Sequence, residues 1–504
     1  MIEQATQNAG LPRGRLSWLA IGQTNATISK CSLVLSDLLA LFVAATLANT
    51  LHWFYQGADD NPIVTLWAGA PAATRLEIFG LITSAMIGWF WLLGHYTRRR
   101  PYWDEVGEIL RVLCLLAAID ATLLYLTKLQ FSRFWFLGLW CSAIVLIPAL
   151  RLVTKKLLLH WNIWQRPIII LGTGKNALDA AAAMESQYAM GYHVVAFAQL
   201  TDPDCEAPRT LGLGGRPVPI VGFSSDDIET LSRPDRPTLI IAYEPYDDIS
   251  RHAKLISRLH RYCGDVHIVP PLRGVPLAGA TISHLFRHEV LLLSLGNNLA
   301  RRGPRLLKRI FDLVVSGLLL LIFVPVFIYL ALRIGRDGGT VFFAHQRIGQ
   351  RGKPFSCFKL RTMVPDAQGG LERVLANDPA ARADWARDFK LKSDPRITPL
   401  GKALRKYSLD ELAQLWNVFT GDMSLVGPRP IVTSELQRYG EDLEYYLETK
   451  PGMTGLWQIS GRNDTGYDER VYLDSWYARN WSLWMDIVIL LKTIRVVLKN
   501  DGAY

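Results

Sequence analysis

The chain has 504 residues and a formal net charge of +10; half of its residues are hydrophobic, 11% are aromatic and 20% are charged. That composition excludes a disordered chain, which lacks the aliphatic and aromatic residues for a core, and six cysteines over this length exclude a small disulfide scaffold. The length suits about three domains, and so much apolar residue beside so much charge implies two different compositions in one chain.

The first 30 residues are polar and mixed, without the basic start, apolar stretch and small-residue cleavage site of a secretory leader. Four apolar stretches follow, at 31–54, 76–96, 109–126 and 134–150. Each approaches the ~20 residues a helix needs to cross ~30 Å of hydrocarbon. Four in close succession exceed what a soluble core holds. Arg13, Arg15 and Lys30 precede the first stretch. Arg98, Arg99, Arg100 and Arg111 follow the second, and Arg151, Lys155, Lys156 and Arg166 follow the fourth. The other flanks carry only Arg75, or Lys128 and Arg133. This alternation predicts a bundle with both ends on the cytoplasmic side. Asp37 and Asp120 fall inside the spans, where a carboxylate marks either function or a helix-packing role; both readings stand at this stage.

Beyond Trp164 the pattern changes. Pro167–Leu171 reads as a buried strand, followed by Gly172-Thr-Gly174-Lys-Asn-Ala177 and a helical run. Residues 194–197, 238–243 and 266–269 read as further strands, with a helix over 249–262. Alternating strands and helices predict a parallel, doubly wound sheet. The G-x-G-x-x-A turn fits a dinucleotide fingerprint, whose helix N-terminus holds a pyrophosphate. Taken alone it is a weak signal. The second strand lacks the ribose-binding acid, the first acid being Asp202. A Rossmann-like structural or regulatory module is favoured over a working NAD domain.

Residues 297–312 are basic, with Arg301, Arg302, Arg305, Lys308 and Arg309, and 313–332 are almost uncharged. By length alone this is a fifth span. Pro325 lies just past its middle and Arg333 and Arg336 follow, so both flanks are basic. A helix that enters one leaflet, bends at Pro325 and returns satisfies both facts, non-helical backbone at the bend needing cover; a true span is the alternative.

The remainder is dense in Arg, Lys, Asp and Trp. Phe358-Lys359-Leu-Arg361, Asp394-Pro-Arg396, Arg405, Ser408-Leu-Asp410-Glu411-Leu412, Gly427-Pro-Arg429-Pro430 and Lys450-Pro-Gly-Met-Thr-Gly455 follow in order. Ser408 to Glu411 matches an S-x-x-E capping box, which by itself favours a structural role. Lys359, Arg361, Arg396, Arg405 and Arg429 around a few acids point instead to a phosphorylated, metal-bound substrate. Carboxylates suit Mg²⁺, and one can attack phosphorus. Prolines on both sides of Arg429 either stiffen the loop or pre-aim the guanidinium, the second being preferred. Asp474 is a further metal candidate or a plain helix-face acid. Residues 481–500, with Trp481, Trp484 and Lys492, Arg495 and Lys499, suit an interfacial helix or a core-packed terminal one.

Together Lys308-Arg-Ile-Phe-Asp312, Pro325, the 358–361 and 408–412 segments, 421–430 and 451–455 resemble the bacterial monotopic phosphoglycosyl transferases, over about 297–504. The whole chain is similar to their large members. The resemblance implies membrane α plus α/β architecture: a four-helix transmembrane bundle (1–164), a Rossmann-like α/β domain (165–296), and a re-entrant-helix, α-rich monotopic catalytic domain (297–504, re-entrant helix 313–332). It implies transfer of a hexose 1-phosphate from a UDP-sugar to undecaprenyl phosphate with release of UMP. Galactose is the expected sugar and glucose the alternative. The product would initiate O-antigen, capsule or exopolysaccharide synthesis. Asp410 is implied as nucleophile, Glu411 as Mg²⁺ ligand and Arg429 as diphosphate contact. A homodimer in the bacterial inner membrane, with both soluble parts cytoplasmic and no nucleic-acid partner, completes the expectation. Two departures from the family pattern are Val324 before Pro325 and Ala413 after Leu412.

Two rivals remain. A membrane-tethered NAD-dependent sugar-nucleotide dehydratase or epimerase would use the Gly172 turn and a Tyr-x-x-x-Lys pair, for which Tyr446 and Lys450 have the spacing. A non-enzymatic scaffold for polysaccharide export suits the bundle and leaves the charged constellation without a purpose.

Overall fold

The structure is a computed structural model and describes residues 26–56, 70–127, 132–200, 210–223, 238–245, 253–262, 266–272, 274–284, 291–377, 382, 394–461 and 466–499. These divide into two compact units, Met1–Arg273 and Gly274–Tyr504.

The first unit begins with four helices, α1 (Ala26–Gln56), α2 (Ala70–Leu92), α3 (Tyr102–Thr127) and α4 (Arg133–His160). Small residues let α1 and α4 meet closely: Ala40, Ala44, Ala48 and Ala143 are fully buried in one core, and a Cβ on Gly138 would lie 3.2 Å from the Ala48 backbone. By length and apolar character α1, α3 and α4 suffice to cross a membrane, while α2 has a shorter apolar run, Glu77–Leu92. The expected second span does not reach residue 96. Its helix stops at Leu92 and the chain turns through Gly94, at φ +81°. The turn swings His95 and Tyr96 inward. The fourth helix in turn runs past the expected 150 to His160, so Arg151 and Lys155 are buried in the bundle instead of flanking it.

These shifts build an ionic network. Asp37 accepts from Arg151 Nε at 2.6 Å and Nη2 at 2.5 Å, and from the Tyr96 hydroxyl at 2.7 Å. Arg151 Nη1 donates to Glu105 Oε1 at 2.9 Å, and Glu105 pairs with Lys155. Asp120 accepts from Trp140 Nε1 at 2.9 Å. Asp37 and Asp120 are thus both hydrogen-bonded inside the bundle. Removing one partner of such a buried pair is strongly destabilising.

The α/β part has a six-stranded sheet in the order β3-β4-β2-β1-β5-β6. Its strands are β1 (Arg166–Leu171), β2 (Tyr192–Leu200), β3 (Thr210–Leu213), β4 (Arg216–Phe223), β5 (Thr238–Ala242) and β6 (Val266–Val269). All pairings are parallel except β3 with β4. Alternation along β1 feeds both faces: Ile168 and Ile170 pack on Ala177 and Ala181 of α5 (Lys175–Ser186), and Ile169 and Leu171 on Leu259 of α6 (Ala253–Tyr262). This is the expected doubly wound arrangement.

Gly172, at φ +134°, allows the tight turn after β1, and a Cβ there would sit 2.6 Å from Ala242 O. At Gly174 a Cβ would lie 2.4 Å from the Glu244 carboxylate, whose Oε1 accepts from Asn176 N at 2.8 Å. A carboxylate of the chain itself therefore occupies the helix N-terminus where a pyrophosphate would bind. That occupancy supports the structural or regulatory reading over an NAD site. Asp202 lies outside the described residues.

In the second unit, residues 274–284 and 291–296, expected with the Rossmann-like part, fall with the other fold: Leu277 N and Ala278 N donate to Asn480 Oδ1 at 2.9 and 3.1 Å. The long helix α7 (Arg302–Ile334) follows β7 (Thr281–His284) and β8 (Leu291–Ser294). Its backbone is helical throughout, Pro325 included. Proline forfeits one hydrogen bond and crowds one carbonyl, which a helix accommodates by kinking. Lys308, Asp312 and Ser316 are buried, while Leu306, Leu307, Ile310, Leu318, Leu321 and Ile322 are exposed. The first half of α7 packs on Leu415, Val418 and Leu425 through Phe311 and Val315. The far end, Leu330 and Ile334, packs on Leu360 and Leu404. Both ends therefore rest on one unit.

The last of the described α-helices, α14 (Leu483–Lys499), has one buried and one exposed side. Asp486 and Ile489 are buried, and Leu491, Ile494 and Leu498 are exposed.

Candidate active site

Two antiparallel strands, β9 (Phe342–Ile348) and β10 (Pro354–Leu360), carry the first cations. Phe358 N donates to Asn417 Oδ1 at 3.0 Å, and Asn417 Nδ2 donates to Ser356 O at 2.8 Å. Asn417, fully buried on α10 (Gln414–Thr420), thus fixes β10 and with it Lys359. Beyond the short helix α8 (Ala367–Asn377) lies α9 (Pro399–Lys406), capped by Thr398 Oγ1 accepting from Gly401 N at 2.9 Å. Arg405 Nε on α9 donates to Thr362 Oγ1 at 3.0 Å.

Between α9 and α10 the chain turns sharply. Ser408 sits in the left-handed region at φ 54°, uncommon for a residue with a side chain and costly to hold. It makes no side-chain cap, so the capping box is not formed. Leu409–Ala413 is instead a 3₁₀ turn that brings Asp410 and Glu411 toward β10. Lys359 Nζ donates to Glu411 Oε1 at 2.8 Å and stands 3.8 Å from Asp410 Oδ2. Asp410 is only 9% exposed. Burial raises its carboxyl above the usual range; Lys359 and Arg405 oppose that, and Glu411 adds to it.

The Gly427–Pro430 loop is built by close backbone approach. It joins β11 (Ser424–Val426), which pairs in parallel with β12 (Gly452–Thr454) after α11 (Leu443–Glu448). Gly452 N donates to Pro428 O at 2.8 Å, and Gly427 N to Thr454 O at 2.9 Å. A Cβ on Gly452 would lie 2.0 Å from Gly427 N, and one on Gly455 2.2 Å from Gly427 O. The glycines of the 421–430 and 451–455 motifs are thus steric requirements. Arg429 is held near the Trp457 ring, at 5.6 Å, and Arg347 Nη1 donates to Pro430 O at 3.3 Å. Burial pushes the Cys357 thiol up, and Lys359, Arg347 and Arg429 all act against that rise.

Other expected site residues are held by protein partners. All five donors of Arg361 are engaged, on Thr340 O, Asp337, Met363 O and Ile334 O. Arg361 clamps the end of α7 and has no donor left for a phosphate. Arg396 makes a two-pronged pair with Asp394, at 2.8 and 2.6 Å. Asp474, on α13 (Tyr467–Arg479; α12 is Leu456–Ile459), is 1% exposed and accepts from the Tyr439 hydroxyl at 2.8 Å. Burial raises its carboxyl to about 7 against the opposing charge of Arg470. Among the described residues no group of three or more His, Cys, Asp or Glu could hold a metal. The expected three-carboxylate set therefore shrinks to Asp410 and Glu411. Mg²⁺ commonly binds one or two carboxylates and takes its other ligands from water and substrate phosphates, so the pair still fits it.

One contributor beside the Arg429 loop escaped sequence reading: Arg347. Arg347 lies in the segment 341–349 that leads into the motifs, and only its fold places it beside Pro430. Tyr446 is no catalytic phenol: its hydroxyl donates to Ile348 O at 2.7 Å and accepts from Ile431 N.

The bacterial sugar transferase family matches residues 303–500, and a family described as a CoA-binding domain matches 92–223. The undecaprenyl-phosphate galactose phosphotransferase of Salmonella typhimurium is 48% identical over 86% of this chain and 89% of that protein. The UDP-galactose-lipid carrier transferase of Erwinia amylovora is 42% identical over 94% and 97%. The UDP-glucose:undecaprenyl-phosphate glucose-1-phosphate transferase of Escherichia coli is 38% identical over 40% and 42%. With two relatives matched along 89% and 97% of their length and the family matching residues 303–500, the chain is a transferase that belongs to the bacterial sugar transferase family, of the polyprenyl-phosphate hexose-1-phosphate transferase type.

Proposed function

We propose that the enzyme transfers galactose 1-phosphate from UDP-galactose to undecaprenyl phosphate, by two displacements at phosphorus. The observation that carries this reading is the Asp410–Glu411 pair, released from any capping role and faced by Lys359. An Asp410 carboxylate oxygen attacks the β-phosphorus of the UDP-sugar. The bond from that phosphorus to the bridging oxygen breaks, and UMP leaves with the oxygen and its electron pair. An oxygen of the lipid phosphate then attacks the aspartyl-bound phosphorus, returning the carboxylate and leaving a lipid diphosphosugar. Lys359 offsets the charge beside the nucleophile, and Arg429, aimed by its flanking prolines, is suited to the diphosphate. Mg²⁺, held by Asp410 and Glu411, would neutralise charge on the diphosphate when bound. Galactose is favoured by the names of the two long relatives, and glucose by that of the Escherichia coli protein.

The same reading has α7 enter and leave one leaflet of the bacterial inner membrane, with both soluble parts in the cytoplasm. Support comes from the two ends of α7, which both pack on the catalytic unit. The reading includes a homodimer, on family resemblance. The test supplies purified protein with radiolabelled UDP-galactose or UDP-glucose, Mg²⁺ and undecaprenyl phosphate. UMP release and a lipid-linked phosphosugar, both lost in Asp410→Asn, are expected. No UMP from either sugar nucleotide, or full activity in Asp410→Asn, overturns the reading.

A further inference from the structure

The base of α7 is tied to the strand that leads into the Arg429 loop. Lys308 Nζ donates to Val426 O at 3.1 Å, lies 3.4 Å from the Tyr477 hydroxyl and pairs with Asp486 Oδ2 at 2.6 Å. The Tyr477 hydroxyl stands 2.9 Å from the same carbonyl and donates to Asp486 Oδ1 at 2.7 Å. Trp481 Nε1 donates to Asp486 Oδ2 at 3.0 Å. One turn further along α7, Asp312 Oδ1 accepts from Leu425 N at 3.1 Å. Lys308, Asp312, Tyr477 and Asp486 are all buried. An ammonium has three protons, and each here has a protein acceptor, so Lys308 has none left for a lipid phosphate.

Desolvation largely offsets the attraction within a buried ion pair, so stability alone is a poor account of Lys308 and Asp486. What the ammonium adds is direction. Residues four apart stand on one face of a helix. Lys308 and Asp312 therefore grip two successive residues of β11, and together they fix the height and the rotation of α7 against that strand. Gly427, Pro428 and Arg429 follow Val426 directly. This stretch has little freedom to absorb a displacement: Gly427 N is bonded to Thr454 O, Pro428 O to Gly452 N, and the Pro428 ring fixes φ. A shift of Val426 is thus passed to Arg429. On the reading that Arg429 contacts the donor diphosphate, we infer that Lys308 is a positioning residue for donor binding. Through Val426 O, with Tyr477 beside it and Asp312 on Leu425 N, it aims the Arg429 loop, and the seat of α7 sets the donor site.

The test uses full-length protein in detergent with Mg²⁺. It measures UDP binding by calorimetry, and UMP release as a function of UDP-galactose or UDP-glucose concentration. Lys308→Met should weaken UDP binding and raise KM by about fivefold or more. A merely structural loss would lower the active fraction, and so kcat, with KM and the UDP affinity unmoved. In an Arg429→Lys background the same substitution should weaken UDP binding by less than about twofold, because the group it positions is already altered. Tyr477→Phe takes one hydroxyl away from the same carbonyl and should shift KM in the same direction. Melting curves establish that the variants fold; if Lys308→Met does not, Tyr477→Phe decides by the same criteria. Unmoved KM and UDP affinity in the folded variant, or equal losses with and without the Arg429 substitution, overturn the proposal. A wild type that binds UDP without releasing UMP fails the transfer reading instead, and the UDP measurements still decide the role of Lys308.

Discussion

Lys359 Nζ lies 2.8 Å from Glu411 Oε1 and 3.8 Å from Asp410 Oδ2, so one ammonium serves both carboxylates of the turn. Without it, two adjacent acids at a largely buried position would favour protonation, and a protonated Asp410 is no nucleophile.

Lys359→Met should therefore lower kcat for UMP release by about 10²–10³-fold, the scale on which one preorganised electrostatic group acts. Burial already raises the Asp410 carboxyl, and Lys359 lowers it. Removing Lys359 moves it higher, so the acidic limb of the pH–rate profile should shift to higher pH. A limb that stays in place, or moves down, contradicts the role assigned to Lys359.

Asp474 supplies a stability test. Its folded carboxyl is raised to about 7, against about 3.9 in an unfolded chain. Between those values the folded state holds the proton and the unfolded state does not, so Asp474 makes stability fall as pH rises from about 4 to 7. Asp474→Asn removes that slope. The melting temperature at pH 7 should approach that at pH 5 more closely in the variant than in wild type, as differential scanning fluorimetry would measure.

Gly452→Ala puts a Cβ 2.0 Å from Gly427 N. Overpacking of this kind costs about 1–3 kcal/mol. The displaced backbone carries Arg429, so UMP release should fall at least about tenfold, as expected when a binding group moves by about an ångström. Thermal melts and initial rates on the same sample check both effects.

Arg361 separates clamping from substrate binding. Its five donors hold Ile334 O, Asp337, Thr340 O and Met363 O. Arg361→Gln should lower the melting temperature, while KM for the UDP-sugar changes by less than about twofold, because uniform binding is untouched. A large rise in KM without loss of stability would return Arg361 to the substrate site.

The sequence by itself determined the composition of each region. Long apolar runs reveal membrane helices because hydrocarbon offers the backbone no hydrogen bonds. Short apolar runs alternating with helical stretches made the parallel sheet legible, and the motifs singled out Asp410, Glu411, Lys359 and Arg429. Only the tertiary structure decided what each polar group faces. Arg361 and Arg396 look like phosphate ligands in a motif and prove to be spent on Asp337 and Asp394. Asp474, a metal candidate by residue type, is buried with Tyr439 and Arg470. Ser408 and Glu411 have the spacing of a capping box, yet the left-handed turn at Ser408 sends Glu411 to Lys359. The reason is physical. Apolar burial follows local periodicity, which a sequence displays, whereas a charge finds its partner across the fold: Arg151 and Asp37 stand on α4 and α1, and Lys359 and Glu411 on a strand and a turn.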